Sequence, residues 1–199
     1  MADSMTVLRN AGAPGTKRNI VVLGDGFAAA DQAAYNTWVD EKLIAGVFGH
    51  DYFSEDASAY NIYRVNLESV DSGVSTKTYD EHGTPSDPSD DTVSSQTIHN
   101  TALGYVFSGS WAHCWLEGTA NTETAIQNAI NTWVPDANEV LIVLNNPHYG
   151  GCGGGGRAVV PMGVDWTVLA HEFGHGIGGF TDEYSAGGTG AYTGSEQSW

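Results

Sequence analysis

The segment "LAHEFGHGIGGFTDEY", residues 169–184, sets two imidazoles four positions apart with a carboxylate beside the first. On an α-helix each residue advances about 100°, so with His171 at zero His175 lies near about 40° and Glu172 near about 100°. Trp166, Leu169, Ala170, Phe173 and Ile177 fall between roughly 160° and 260° on the same wheel and make an apolar face that can dock on a sheet. Two imidazoles one turn apart can each aim a nitrogen at a single Zn²⁺ about 2.0–2.1 Å away, and the adjacent carboxylate then reaches a water on that metal. This is H-E-x-x-H in its mechanical sense, with His171 and His175 as candidate ligands and Glu172 as candidate general base. The competing reading, two surface histidines in an ordinary polar neighbourhood one helical turn apart, gives no reason for the glycines that follow.

Gly174, Gly176, Gly178 and Gly179 each cost about 1 kcal/mol relative to Ala inside a helix, so helicity alone would not select them. Gly174 and Gly176 are expected to permit close packing, and Gly178 or Gly179 to take the left-handed conformation that ends the helix. The chain then turns back, and the next residues able to bind a metal are Asp182 and Glu183. The glycines would thus bring a carboxylate around to an ion already held by two histidines.

The elements that must carry this helix can be read from apolar spacing. "NIVVLGDGF" is a β-branched run closed by Gly24, Asp25 and Gly26, a buried strand entering a tight turn in which Asp25 serves as turn chemistry. "DQAAYNTWVDEKLIAGVFG" puts Tyr35, Trp38, Val39, Leu43, Ile44 and Val47 at helical spacing and stops at Gly49. "NIYRVNLES" alternates Tyr63, Val65 and Leu67, the pattern of a strand with one buried face. This β-α-β beginning favours a parallel strand pair.

Residues 71–96 are rich in Ser, Asp, Pro and Gly and predict a long acidic surface loop. Its carboxylates could hold Ca²⁺, although no EF-hand spacing is present and a solvated loop is the simpler reading. "NTETAIQNAINTWVPD" predicts a helix with Ala125, Ile126, Ala129, Ile130 and Trp133 on one face, Asn121 as cap and Pro135 as stop. "NEVLIVLNN" is the most continuously apolar strand and belongs at the centre of the sheet.

In "YGGCGGGGRAVVPMG", Gly151, Gly153 and Gly156 formally satisfy GxGxxG. A nucleotide site needs a helix opening at the last glycine to receive the pyrophosphate, and here a strand-like "RAVVPM" follows instead. A glycine stretch beside a strand more simply lets another backbone come close. In a peptidase that backbone could be the substrate's, with Gly150, Gly151, Gly153 and Gly154 along the edge.

Composition narrows the partners. The chain has 199 residues and is 41% hydrophobic, enough for one domain with a real core, and its 24 acidic against 7 basic residues give a formal charge of −17. That charge repels phosphate backbones and anionic lipid headgroups, so neither nucleic acid nor a membrane surface is expected as a partner. No apolar run reaches the length of a membrane span, and the opening residues lack the hydrophobic stretch of a signal peptide. Cys114 and Cys152 are the only cysteines; they could form one bridge or remain two buried thiols. No motif encodes an oligomeric state.

"HEFGHGIGGFTDEY" resembles the active-site signature of the IgA-peptidase family of zinc metallopeptidases, peptidase family M64. "VVLGDGF", "NIYRVNLESVDSGV", "NTALG" and "VLIVLNNPHYGGCGGGG" resemble further blocks of that family in the same order, so the similarity covers most of residues 19–184. The resemblance implies an α/β fold with a metzincin-like zincin core: a twisted, mostly parallel sheet with an antiparallel edge strand that binds substrate, a backing helix and an active-site helix. It implies a single catalytic domain over residues 1–199, with residues 1–18 as an N-terminal extension. It also implies His171 and His175 as zinc ligands and Glu172 as the base.

Two departures from the metzincin pattern bear on the site. The third ligand usually stands six residues after the second histidine, where this chain has Thr181, a poor zinc ligand; the role passes to Asp182, with Glu183 as the alternative. Gly178 occupies the position where metzincins carry glycine. Only 24 residues follow His175 and none is Met, so no Met-turn is expected and the chain reads as a fragment or a minimal version of the fold.

The reading is a zinc-dependent endopeptidase acting on a protein or peptide substrate, located outside the cell. Tyr184, His148 and Tyr149 are candidates for steadying the oxyanion or the ligands. Two other classes remain in view: an inactive metal-containing module that binds protein or glycan, and a calcium-dependent adhesion domain. Retention of Glu172 favours the enzyme, since an inactive relic has no need of the base. Immunoglobulin is not carried over as substrate, because specificity resides in loops and not in the fold.

Overall fold

The computed structural model describes residues 3–84, 87–108 and 116–180. Its main sheet has six strands: β1 (Ser4–Arg9), β2 (Arg18–Asp25), β3 (Tyr60–Asn66), β8 (Glu139–Leu144), β9 (Cys152–Gly154) and β10 (Arg157–Pro161), in the order β1-β3-β2-β8-β10-β9. The four inner strands are parallel, and both edge strands, β1 and β9, run antiparallel to their neighbours. The fold is therefore α/β with a mostly parallel sheet.

The inner strands are apolar at almost every position because both faces are covered. Ile20, Val22, Ile62, Leu141, Val143, Ala158 and Val160 point to one face. Val21, Leu23, Val65, Ile142, Leu144 and Val159 point to the other.

The first face carries two helical segments. Helix α1 (Gln32–Trp38) widens into a π-helical stretch over Val39–Gly46 and ends in a 3₁₀ turn at Val47–Gly49, followed by the short α2 (Asp51–Ser54). Helix α4 (Trp166–Phe173) packs beside it, and the two approach closely at Gly46, where an added Cβ would lie 2.5 Å from the Trp166 Cβ. The Trp38 indole N–H donates to the Met162 carbonyl at 2.9 Å and ties this layer to the end of β10.

The second face carries α3 (Thr122–Trp133) and a four-stranded sheet of β4 (Ser75–Asp80), β5 (Thr92–Thr97), β6 (Tyr105–Phe107) and β7 (Leu116–Gly118), in the order β5-β4-β6-β7. Residues 71–96, expected to be an irregular loop, thus contain the antiparallel pair β4 and β5. Val74 and Ser75 at the start of this stretch are buried, whereas every residue of β5 is exposed, so no apolar alternation marks that strand. Residues 1–18, expected to be an extension, supply edge strand β1 and the first residue of β2. Asn121 precedes α3, but its side chain makes no capping bond; the Thr122 hydroxyl instead accepts from the Thr119 N–H at 2.8 Å.

Asp25, at the end of β2, does more than shape a turn. It is fully buried, and its carboxylate accepts from the backbone N–H groups of Leu103 and Tyr105, both at 2.8 Å, and from the Thr101 hydroxyl at 3.1 Å. It thereby fastens the main sheet to the start of β6. Among the described residues no helix is long and apolar enough to cross a membrane.

Candidate metal centre

Helix α4 starts at a strong cap. Asp165 is extended, and its carboxylate accepts from the Thr167 and Val168 N–H groups at 2.9 and 3.2 Å, satisfying donors that have no partner within the helix. The Thr167 hydroxyl and then these backbone bonds hold the Asp165 carboxyl below its usual range. From this cap Leu169 and Phe173 point into the core and are almost wholly buried.

The helix does not keep its pitch to the second histidine. After Phe173 it widens into a π-helical turn over Gly174–Gly178, so the regular wheel drawn from the sequence holds only to Phe173. Contacts that only glycine permits position this turn. A Cβ at Gly176 would lie 2.7 Å from the Arg157 carbonyl oxygen of β10, and the Gly156 N–H donates to the Gly176 carbonyl at 3.0 Å. The segment ends at Gly179, which has φ +68° and donates to the Gly174 carbonyl.

This geometry brings the two imidazoles together. The Nε2 atoms of His171 and His175 are 3.0 Å apart, with the rings 4.5 Å between centroids and at 84°. Nitrogens this close share either a proton or a common cation, and two ligands about 2.0–2.1 Å from one tetrahedral zinc would stand about 3.4 Å apart. The His175 Nδ1 donates to the Phe180 carbonyl at 2.6 Å. A carbonyl can only accept, so this bond fixes the tautomer and leaves the His175 Nε2 lone pair facing His171.

Glu172 is buried, with 7% of its surface exposed, while His171 on its flank is exposed. Its side chain lies under the strand that enters β9: a Cβ at Gly151 would be 2.6 Å from the Glu172 Cγ and 2.7 Å from its Oε1. A Cβ at Gly153 would overlap the Glu172 carbonyl oxygen and come within 2.7 Å of the His175 Cβ. The glycines of 150–156 therefore lie against the H-E-x-x-H segment, with Gly153 and Gly154 in β9 at the edge of the sheet and Gly150 and Gly151 leading into it. No helix follows Gly156; β10 does.

His148 and Tyr149, upstream of β9, are exposed. His148 stacks on Phe107 at 4.5 Å. The Asn146 Oδ1 accepts from the His148 backbone N–H at 2.9 Å and lies 2.7 Å from its Nδ1. That fixes Nδ1 as the donor, so the neutral ring offers an acceptor at Nε2 and would have to be protonated to serve an oxyanion.

Asp182, Glu183 and Tyr184 lie outside the described residues. Among those described, no group of three His, Cys, Asp or Glu side chains gathers as a metal set. Cys152 is disulfide-bonded, and the sequence holds one other cysteine, Cys114, which also lies outside the described residues.

The family model of IgA Peptidase M64 matches residues 6–198. The chain belongs to this family. No curated protein matches it. M64 peptidases are metallopeptidases, so this M64 chain is of the peptide-hydrolysing class and its substrate is a protein or peptide. Two contacts around these side chains had no signal in the sequence. The Phe180 carbonyl that orients His175 is a group every residue carries, and Asn146 becomes a partner of His148 only through the turn after β8.

Proposed function

We propose that the chain is a zinc-dependent endopeptidase in which His171 and His175 hold the ion, Asp182 or else Glu183 completes the protein ligands, and Glu172 is the general base. The observation that carries this reading is the 3.0 Å convergence of the two Nε2 atoms, with His175 locked by the Phe180 carbonyl into the tautomer that can ligate. The donor set, two imidazoles with a carboxylate, is one zinc accepts. When bound, the zinc supplies a Lewis acid for the scissile carbonyl and lowers the pKa of a neighbouring water toward about 7.

The chain's own residues supply the rest. Glu172 takes a proton from the attacking water on a carboxylate oxygen and passes it to the departing amine. Burial under Gly151 keeps that carboxylate in one place. The edge of β9 offers backbone groups to an extended peptide, and its glycines let that peptide come near the histidines. An extracellular location accords with the disulfide at Cys152, since such bonds persist in oxidising compartments; a native precursor lacking any export signal would count against it.

The test is Glu172→Gln. Casein hydrolysis should fall on the order of 10²–10⁴-fold with bound zinc unchanged, because the substitution removes a proton acceptor and no ligand. Undiminished hydrolysis would remove Glu172 from the role, and protein that takes up no zinc would remove the metal.

A further inference from the structure

Behind the edge strand lies a second feature that the zinc site does not use. Gly153 faces α4, whereas Cys152 packs against the opposite core cluster. On that opposite side a pocket of about 300 Å³ opens in the seam between the two sheets, the size of a single side chain more than of a large ligand. Leu116, Val159, Cys152 and Tyr105 line its floor, and Arg157 and Glu123 stand at its rim.

The rim is a closed ion pair. The Arg157 guanidinium meets Glu123 with both terminal nitrogens, Nη2 to Oε2 at 2.9 Å and Nη1 to Oε1. An incoming carboxylate would lie beside Glu123 and an incoming ammonium beside Arg157. Either charge would be repelled by one member of the pair, or would have to draw the pair apart and leave a charge unmatched.

An extended peptide added along β9 directs successive side chains to alternate sides of the sheet. Residues facing the Glu172 side therefore alternate with residues that fall over this pocket. We propose that the pocket is a specificity subsite for one uncharged side chain of the peptide substrate, and that the Arg157–Glu123 pair excludes charged side chains from it. This rests on the peptidase reading and on β9 as the substrate edge.

The experiment measures binding without turnover. Zinc-loaded Glu172→Gln protein is immobilised and exposed to a degenerate peptide library, and the retained peptides are sequenced. One position should be depleted of Asp, Glu, Lys and Arg on the order of tenfold. Adding Glu123→Gln, which frees the guanidinium at an exposed site, should restore acidic residues at that position alone. Arg157→Gln should instead restore basic ones. The proposal is overturned by charged residues retained equally at every position, by profiles that neither variant changes, or by failure of the Glu172→Gln protein to retain peptide. Casein hydrolysis by the unaltered chain judges the peptidase reading separately, so the two can fail independently.

Discussion

The Nδ1 of His175 donates to the carbonyl oxygen of Phe180 at 2.6 Å, so the ring's orientation depends on how the chain leaves the helix. That exit is set by Gly179 at φ +68° and by the Phe180 N–H, which returns to the Gly174 carbonyl at 3.2 Å. A Cβ at Gly179 would meet nothing within 4 Å, so Gly179→Ala adds backbone strain of about 1–2 kcal/mol and no clash. Zinc affinity, read by competition with a chromophoric chelator, should fall on the order of 10–100-fold, as for loss of a partner that orients a ligand. Unchanged affinity would show that the carbonyl does not orient the ring.

Gly151 and Gly153 should respond differently to the same methyl group. At Gly153 the added Cβ meets the Glu172 backbone carbonyl, which cannot move without moving α4; Gly153→Ala should cost about 1–3 kcal/mol and lower both the thermal midpoint and hydrolysis. At Gly151 the nearest atoms belong to the Glu172 side chain and not to the backbone of α4, so it is the carboxylate that is displaced. Gly151→Ala should therefore reduce casein hydrolysis while leaving the melting temperature and bound zinc near those of the unaltered chain. Equal loss of stability in both variants would contradict this assignment of contacts.

What could be read in advance follows from which groups carry the information. The pair His171 and His175, the neighbouring Glu172 and the apolar backs of Leu169 and Phe173 are side-chain types at fixed spacing, so a helical wheel finds them. The parallel pairing of β2 with β3 follows from an intervening helix, and the central place of β8 from its unbroken apolar run. Strands β4 and β5, "STKTYD" and "TVSSQT", are too polar and exposed to show an apolar face. The π-helical turn at Gly174–Gly178 depends on how Gly176 meets β10, a contact between residues remote in sequence. The role of Asp25 depends on Leu103 and Tyr105, which reach it only after the second sheet has docked.

Asp25 makes a prediction about stability against pH. Burial raises its carboxyl above the usual range, opposed by bonds from the Leu103 and Tyr105 N–H groups, the Thr101 hydroxyl and the Gly26 N–H. A raised folded-state pKa contributes stability that is fully present below the unfolded value of about 3.9 and is lost as pH rises through the folded value. Asp25→Asn removes this titration and turns an amide N–H₂ toward backbone donors. It should cost about 1–3 kcal/mol near neutral pH, and the gap in thermal midpoint between the unaltered chain and the variant should be wider at pH 4 than at pH 7. A gap that widens with rising pH would reverse the assignment.

Asp165 should titrate with the opposite sign. The Thr167 hydroxyl, the Val168 N–H and the Thr167 N–H favour its ionised form and lower its pKa. Its contribution is therefore present above the unfolded value of about 3.9 and disappears as pH falls through the depressed folded value. Asp165→Ala should lower the thermal midpoint at pH 6 and converge on the unaltered chain as both are acidified below that range. Asp165→Asn keeps an acceptor for the first turn without the titration, so it should retain most of the stability at pH 6. Because this cap starts the helix that carries His171 and His175, Asp165→Ala should also weaken zinc binding at pH 6, and Asp165→Asn should restore it. Equal zinc affinity in the two variants would mean that the first turn of α4 does not govern the placement of the imidazoles.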